Sequence, residues 1–433
     1  MITRSHRIAM TTSSRIPGFY KLDPESRFQK LVEFSGLPAE QLRPLQSTDT
    51  AMAAIADRMI ENAVGTIAIP LGIAANFQVN GIDYLVPMAT EEPSVVAAAS
   101  NAALVAREHG GFHTSGTAPV MIAQVQVLDV ADPHGARLRL LEARDELIAL
   151  ANEQDPLLVQ LGGGARDIEV RLLTSADFRS LIVHLHVDVR DAMGANAVNT
   201  MAEALAPRIA AIARGRSLLR ILSNKADLRL VRARAVFDAG KLGGADVVDG
   251  IVNAYRFAAA DPYRAATHNK GIMNGISAVV LATGNDTRAI EAGAHCHACR
   301  DGRYTSLSHY EKDADGNLVG SIELPLALGL VGGATKTHPV AQASVKLLAV
   351  KSAVQLAEIT AAVGLAQNMA ALRALATEGI QRGHMSLHAR NVAAAAGATE
   401  GEIAALVGCL VADGHVRLDR AQQLLAELRA GKA

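Results

Sequence analysis

One lysine lies in a stretch that is rich in glycine and asparagine, THNKGIMNG, at residues 267–275. A lysine can act as a Schiff base, as a contact to phosphate, or as the cation that stabilises an oxyanion. The flanking residues predict a loop and then a buried strand that ends in ATGND. This strand and its turn would return Asp286 to the side of Lys270. The simpler interpretations are a surface lysine and, at Asp286, a helix cap.

Two adjacent acids, Glu91 and Glu92, precede Pro93 at the predicted start of a helix. Acids at this position interact favourably with the helix dipole, which is the simpler interpretation. A role as general acid would require a pKa raised by burial or by a neighbouring acid such as Asp286.

Two histidines, His384 and His388, are spaced i, i+4 in RGHMSLHARN. They could bind a metal from one helix face, but no glutamate lies between them as in the HExxH motif. A single titrating histidine on a mobile segment could instead donate a proton to a product. The CxxC of HCHAC, residues 295–299, lacks a second ligand pair and predicts part of a packed helix.

The sequence contains neither GxGxxG after a strand nor GxxxxGK[ST], so the usual dinucleotide and phosphate loops are not predicted. The turn DAMGAN, between a strand and a helix, is an alternative. Gly194 would allow close approach, and N–H groups at the helix start could hold a pyrophosphate. Asp155 could accept hydrogen bonds from a ribose and repel a 2′-phosphate. The simpler interpretations are a tight turn capped by Asn196 and a helix-end acid at Asp155.

Composition excludes several classes of function. The 433 residues carry 42 basic and 43 acidic side chains, so no net field attracts nucleic acid or an anionic membrane. Aromatic residues make up only 3% and tryptophan is absent, which disfavours a surface for stacking bases. We find no secretory signal and no apolar run of the ~18 residues that a membrane helix needs. The three cysteines do not indicate a disulfide framework, and we expect a cytoplasmic protein that binds small molecules.

The pattern of elements predicts an α+β protein of several domains. A hairpin turns at Asn80-Gly81, and a long helical block runs from Thr337 to about Thr377. Between them, the order strand, helix, strand, strand, helix, strand predicts a split-βαβ (ferredoxin-like) module inserted into a larger mixed α/β domain. The predicted divisions are an arm (1–15), a large domain (16–117 and 228–378), the inserted small domain (118–227) and a C-terminal helical flap (379–433).

Six segments occur in the order typical of one enzyme family: ENAVG (61–65), EEPSVVAAAS (91–100), DVRDAMGAN (188–196), THNKGIMNG (267–275), ATGND (282–286) and GHMSLH (383–388). With them the chain resembles 3-hydroxy-3-methylglutaryl-CoA reductase in its bacterial class II form. The ENVIG segment of that family reads ENAVG here, which changes only apolar residues. The resemblance implies a large domain that holds the acyl-CoA and a small domain that binds NAD without a Rossmann motif. It also implies an obligate homodimer with active sites at the subunit interface.

The resemblance also implies roles for individual residues. Lys270 would stabilise the oxyanion, Glu92 would be the general acid/base, and Asp286 would link and tune both. His384 would protonate the coenzyme A thiolate. Substrate contacts would be Ser94, Arg264, Asn274, Gln367 and Asn368. Cofactor contacts would be Asp155, Asp191, Met193, Gly194, Asn196 and Asn224.

Asp155 favours NAD over NADP, although Arg166 or Arg171 could approach it in three dimensions. The sequence predicts no metal site. Three alternatives belong to other classes: a metal-dependent hydrolase using His384 and His388, an enzyme with a Schiff base at Lys270, and a non-catalytic oligomeric binding protein.

Overall fold

The computed structural model describes residues 14–47, 49–175, 178–377 and 389–431. The chain forms two compact units, one of Met1–Pro70 with Thr337–Pro339 and one of Leu71–Lys336 with Val340–Ala433. The strands are β1 (Leu71–Val79), β2 (Ile82–Ala89), β3 (Phe112–Gly116), β4 (Val120–Leu128), β5 (Gly164–Ser175), β6 (Phe178–Asp188), β7 (Arg216–Ser223), β8 (Leu230–Phe237), β9 (Ser308–Lys312) and β10 (Leu318–Pro325).

The described α-helices are α1 (Pro24–Ser35), α2 (Ala39–Leu42), α3 (Thr50–Met59), α4 (Val95–Ala106), α5 (Pro133–Glu142), α6 (Arg144–Asn152), α7 (Pro156–Gln160), α8 (Ala195–Ala213), α9 (Ala239–Leu242), α10 (Ala245–Ala260), α11 (Pro262–Ala282), α12 (Thr287–Ala298), α13 (Gly333–Thr337), α14 (Pro339–Leu348), α15 (Ala353–Ala376), α16 (Glu400–Asp413) and α17 (Leu418–Arg429). In the first unit, Asp23 and Asp49 cap α1 and α3 by accepting hydrogen bonds from backbone N–H groups.

The larger sheet has six strands in the order β2-β1-β3-β8-β10-β9. The predicted hairpin is confirmed, because β1 and β2 pair antiparallel around Asn80 and Gly81. These two turn residues have φ values of 50° and 80°, as a tight hairpin turn requires. Only β1 and β3 pair in parallel within this sheet.

The smaller sheet has four antiparallel strands in the order β5-β6-β4-β7. With α5 and α8 as the crossing helices, this is the predicted split-βαβ topology. The chain leaves the larger sheet after β3 and returns to it at β8, and these two strands pair with each other. The smaller sheet is therefore an insertion between two neighbouring strands of the larger one.

Helix α15 is the central helix of the core, and most of its residues are buried. By length and composition alone, this helix could cross a membrane, which differs from the prediction made from the sequence. However, 67% of its apolar window is buried inside the protein. Glycine lets α11 pack closely on it, since a Cβ at Gly275 would lie 2.9 Å from the Gln367 Cβ. A Cβ at Gly364 would likewise lie 2.8 Å from the Ile276 side chain.

The prediction of a loop and strand over THNKGIMNGISAVVLA was wrong, because these residues lie within α11. Asp261 caps this helix with its side chain, and Pro262 occupies the first turn. The glycines do not break the helix, because packing against α15 compensates for their low helix propensity. Lys270 therefore lies in the middle of a 21-residue helix.

The C-terminal residues form helices with their own small hydrophobic cluster, which includes Leu406, Leu410 and Leu425. Thr399 and Glu402 form a capping box at the start of α16. The predicted flap begins at residue 379, and its first residues, including His384 and His388, lie outside the described part of the chain.

Candidate active site

Lys270 and Glu92 form an ion pair in which Nζ lies 2.7 Å from Oε2. Asn274, one helical turn after Lys270, donates to the other carboxylate oxygen at 3.1 Å. The lysine side chain is 62% exposed and the glutamate 36%. An ion pair this accessible contributes little to stability, about 0–1 kcal/mol. The pair is therefore open to a ligand and is not needed to hold the fold together.

Glu92 lies in the short connection between β2 and α4, where the backbone N–H donates to Thr90 Oγ1 at 3.2 Å. The predicted helix start at Pro93 was wrong, since α4 begins at Val95 and Ser94 is its N-cap. Ser94 has a φ of 73°, which is a strained conformation for a residue with a side chain. Its hydroxyl does not cap the helix.

A cavity of about 610 Å³ surrounds the ion pair. Its walls come from the start of α4, one face of α11 and the last turns of α15. All five residues predicted to contact substrate line it: Ser94, Arg264, Asn274, Gln367 and Asn368. Arg264 and Asn274 both line it from α11.

Three buried polar atoms of this cavity's lining residues have no hydrogen-bond partner in the described structure: Ser94 Oγ, His268 Nδ1 and Gln367 Oε1. Buried polar groups are nearly always paired in native proteins. A cavity that leaves a hydroxyl and two acceptors unpaired is thus suited to a polar ligand.

His268 was missed by the sequence analysis, although it lies within the THNKGIMNG segment. Its Nε2 lies 2.7 Å from Ser308 Oγ and 2.9 Å from Ser306 Oγ. Both serine hydroxyls donate elsewhere, Ser306 to a backbone carbonyl and Ser308 to Asn368 Oδ1. This arrangement places the imidazole proton on Nε2 and leaves Nδ1 as an acceptor. Burial lowers the pKa of His268 to about 3, so the ring is neutral at neutral pH.

Asp286 does not lie beside Lys270 in this chain, so the predicted link between them within one chain was wrong. It caps α12 and accepts hydrogen bonds from the backbone and guanidinium of Arg288. The hydrogen bond from Arg288 lowers the pKa of this carboxyl. Lys270 lies twelve residues before Ala282, the last residue of α11, so the helix alone carries the chain ~18 Å away from Lys270 at 1.5 Å per residue before the turn to Asp286.

Asp286 instead lines a second cavity, of about 750 Å³, with four of the residues predicted to contact cofactor: Asp155, Met193, Gly194 and Asn196. The glycine-rich loop that leads into α13 forms another wall, with Gly332 and the first residue of the helix, Gly333. None of the motifs had assigned this loop to the site. A β-bridge between Ala192 and Val331 joins it to the DAMGAN turn.

The start of α8 in this cavity suits a phosphate-bearing cofactor. No side chain caps the helix, and its N-cap Gly194 has a φ of 104°, which other residues rarely adopt. Free N–H groups at the end of a 19-residue helix attract an anion. Asp155 contributes to the same cavity while its side chain accepts from Leu158 N at 2.9 Å as the cap of α7.

Asp191 and Asn224 were also predicted to contact cofactor, but neither is among the described residues that line this cavity. The Asp191 carboxylate accepts from Ala353 N at 2.7 Å, so it holds the start of α15. Asn224 lies in the turn after β7, and its carbonyl faces Gly293. The contacts of Asp191 and Asn224 with the cofactor stay predictions.

Arg229 contacts the backbone of residues next to this second cavity, and none of the motifs had indicated it. Its buried guanidinium donates to the carbonyls of Ala192 and Met193 at 3.1 and 3.3 Å, and also to that of Leu328. Burial lowers its pKa to about 10, which still leaves it charged at neutral pH. Arg229 thereby fixes the DAMGAN turn, and only the tertiary structure brings it there.

Comparison with known proteins decides the family. The model of hydroxymethylglutaryl-coenzyme A reductase matches residues 23–389. The chain is 58% identical to the 3-hydroxy-3-methylglutaryl-coenzyme A reductase of Archaeoglobus fulgidus, over 99% of this chain and 98% of that protein. The chain belongs to the hydroxymethylglutaryl-CoA reductase family. It is therefore an oxidoreductase that acts on small molecules.

Solved structures agree with this reductase assignment. The class II reductase of Streptococcus pneumoniae bound to NADPH in open conformations is 43% identical, with a TM-score of 0.74 over 94% of this chain and 99% of that one. A second structure of the Streptococcus pneumoniae reductase has a TM-score of 0.75, also at 43% identity, over 95% of this chain and 99% of that one. The predicted resemblance to the class II reductases is confirmed.

Proposed function

We propose that this reductase interconverts hydroxymethylglutaryl-CoA with mevalonate and free coenzyme A in the cavity around Glu92 and Lys270. The observation that carries the proposal is the carboxylate of Glu92, which contacts both Lys270 and Asn274 beside unpaired buried polar atoms. The nicotinamide cofactors supply the reducing equivalents for the two successive reductions.

Lys270 stabilises the negative charge that develops on the thioester oxygen, because its ammonium, 2.7 Å from the Glu92 carboxylate, lines the cavity that would hold the thioester. Collapse of the resulting hemithioacetal expels coenzyme A as a thiolate. His384 protonates that thiolate, which at neutral pH would otherwise attack again, since a free thiol has a pKa of about 8.5. Glu92 gives a proton to the alkoxide formed from the aldehyde.

Arg264 and Asn274 hold the hydroxymethylglutaryl group in this proposal. The guanidinium can bind the free carboxylate of the substrate through two parallel hydrogen bonds. Ser94 supplies a hydroxyl, and Gln367 an amide oxygen, from the opposite wall of the cavity. These contacts would pair the atoms that the protein leaves unpaired.

The roles of the two adjacent acids provide a matched test. Glu92→Gln should lower kcat by at least about 100-fold, because an amide cannot transfer the proton. Glu91→Gln changes an exposed neighbour in the same way and should retain near-normal turnover. The assay follows oxidation of the reduced nicotinamide with hydroxymethylglutaryl-CoA. Equal rates for the two variants would refute the role of Glu92.

The cofactor cavity supports NAD over NADP in this proposal, because the Asp155 carboxylate would repel a 2′-phosphate. Arg166 and Arg171 do not line the cavity, and Arg171 lies beside His184 on the smaller sheet instead. The similar Streptococcus pneumoniae structure holds NADPH, so the preference must be measured on this chain.

Asp155→Asn removes the charge and retains an oxygen that can cap α7. We expect the ratio of kcat/KM for NADPH over NADH to rise by about tenfold, since one ionic repulsion of about 1.4 kcal/mol is removed. Asp145→Asn, an exposed acid on α6, serves as the control. An unchanged ratio in Asp155→Asn would move the selection to another residue.

The proposed active unit is a homodimer. Within one chain, Asp286 lines the cavity proposed for the cofactor, whereas Lys270 and Glu92 line the cavity proposed for the substrate. The role proposed for Asp286, to adjust Lys270 and Glu92, is therefore possible only if a second subunit brings its Asp286 cavity to this pair.

A further inference from the structure

Three side chains on the smaller sheet converge on one point, away from both cavities. Glu169 on β5 lies opposite His184 on β6, and His186 follows two residues later on β6. Residues two apart on a strand face the same side of the sheet. One ligand atom from each of the three side chains lies within 4.8 Å of the other two.

Each of the two imidazoles has one ring nitrogen that is available to a ligand. His184 Nδ1 and His186 Nε2 are both buried, and neither has a hydrogen-bond partner in the described structure. His184 is only 7% exposed. On the neighbouring strand β4, Gln126 Oε1 is also buried and unpaired. Unpaired groups of this kind are rare, because burying them without a partner is costly.

We propose that Glu169, His184 and His186 bind a divalent transition-metal ion of the zinc class. Imidazole nitrogens and carboxylate oxygens are the ligands that Zn²⁺ takes in proteins, usually in tetrahedral geometry. Three protein ligands leave a fourth position for water. The inference departs from the sequence-based expectation of no metal site and does not depend on the reductase reaction.

The charges around the three ligands decide whether a cation is acceptable. The Glu169 carboxylate lies 3.6 Å from His184 Nδ1, on the side where the metal would bind. Asp227 also interacts electrostatically with His184. Asp167 is paired with His186 in the strand register but is neutralised by Arg144. Arg171 opposes a cation, yet it approaches the other ring nitrogen, Nε2, at 3.5 Å.

Gln124 lies where a supporting residue of such a site is expected. Its side-chain amide is 2.9 Å from His184 Nε2. With a metal ion on Nδ1, Nε2 carries the proton and must donate it. Rotation of the Gln124 amide by half a turn would present its oxygen as the acceptor. An acceptor of this kind orients the ring of a metal-bound histidine in most known sites.

The test uses tag-free full-length protein, stripped with a chelator and then titrated with Zn²⁺ and with Co²⁺. We expect one equivalent of Zn²⁺ by calorimetry and a higher Tm when Zn²⁺ is present, because the ion binds the folded state. The Co²⁺ complex should lack a thiolate charge-transfer band, since no cysteine contributes a ligand. The absence of stoichiometric binding, or a thiolate band, would overturn the proposal.

Variants locate the site. Glu169→Gln and His186→Gln should each weaken Zn²⁺ binding by at least about 10-fold, the smallest loss that even supporting residues of metal sites show. The matched controls Glu203→Gln and His134→Gln change exposed residues on helices of the same small domain and should leave the affinity unchanged. Undiminished affinity in Glu169→Gln, or loss of binding in His388→Gln, would place the metal elsewhere and overturn the proposal.

Discussion

At the scale of single residues, His268 connects the stability of the fold to the cavity around Lys270. Ser306 and Ser308 contact Nε2 of its ring, and Ser308 in turn donates to Asn368. The other ring nitrogen, Nδ1, is an acceptor without a partner in the described structure. Desolvation of the buried ring lowers its pKa to about 3, against an ordinary value near 6.5. Because only the neutral ring suits this site, protonation opposes folding.

The sign of the pH dependence follows from this pKa. Between about pH 6.5 and pH 3 the unfolded chain binds a proton at His268 that the folded chain does not. The contribution to the free energy of unfolding is complete above pH 6.5 and is lost as the pH falls, by up to about 1.4 kcal/mol per pH unit. His268→Gln should therefore show a shallower loss of stability between pH 6 and 4 in urea unfolding.

The control for this prediction is His134→Gln, which removes an exposed histidine. Its stability should follow the same pH dependence as the parent protein. If His268→Gln and the parent protein had the same slope between pH 6 and 4, the imidazole would not be held neutral by burial.

At the scale of elements, the contact between α11 and α15 shapes the cavity around Lys270. Lys270, Asn274 and Arg264 face the cavity from α11, while Gln367 and Asn368 face it from α15. The close approach depends on Gly275, where a Cβ would lie 2.9 Å from the Gln367 Cβ and 3.1 Å from the Val363 carbonyl. Gly271, one turn earlier on the same helix, faces open space.

These two glycines form a matched pair for mutation. Gly275→Ala should lower the free energy of unfolding by about 1–3 kcal/mol, because the added methyl group forces the helices apart. Gly271→Ala meets nothing and should be stabilising by up to about 1 kcal/mol, since alanine favours a helix interior over glycine. Thermal and urea unfolding measure both. A Gly275→Ala variant as stable as Gly271→Ala would show that the helices do not pack this closely.

At the scale of the whole molecule, the separation of Asp286 from Lys270 makes the proposed dimer testable. Lys270→Ala and Asp286→Asn should each be nearly inactive. If each active site combines Lys270 of one subunit with Asp286 of the other, a mixed dimer of the two variants contains one intact site. Random exchange of subunits should then restore about a quarter of the parent activity.

The readout is reductase activity after the two variants are unfolded and refolded together, compared with each variant refolded alone. Mixing Lys270→Ala with Glu92→Gln is the control, because those two residues contact each other within one chain and no mixed dimer regains a site. No recovery in the first mixture would contradict the shared site.

Local features were predictable from the sequence where a short stretch determines its own structure. Asn80-Gly81 selects a tight turn by its backbone preferences alone, and Asp286 caps a helix with its own side chain. The periodic spacing of hydrophobic residues, alternating in strands and helical in helices, predicted the order of the strands and helices around the smaller sheet. Of the residues predicted to contact substrate, Ser94 and Asn274 lie in segments shared with a family, and both line the cavity around Lys270.

The tertiary structure decided the rest, because the deciding contacts are distant in sequence. The run ISAVVLA is compatible with a strand or a buried helix, and the packing of α11 on α15 selects the helix. That choice moves Asp286 away from Lys270 and into the other cavity. Arg229 and His268 acquire their roles through burial, which no motif records. Sequence alone therefore determined the family and most of the chemical groups, and packing determined which of those groups meet.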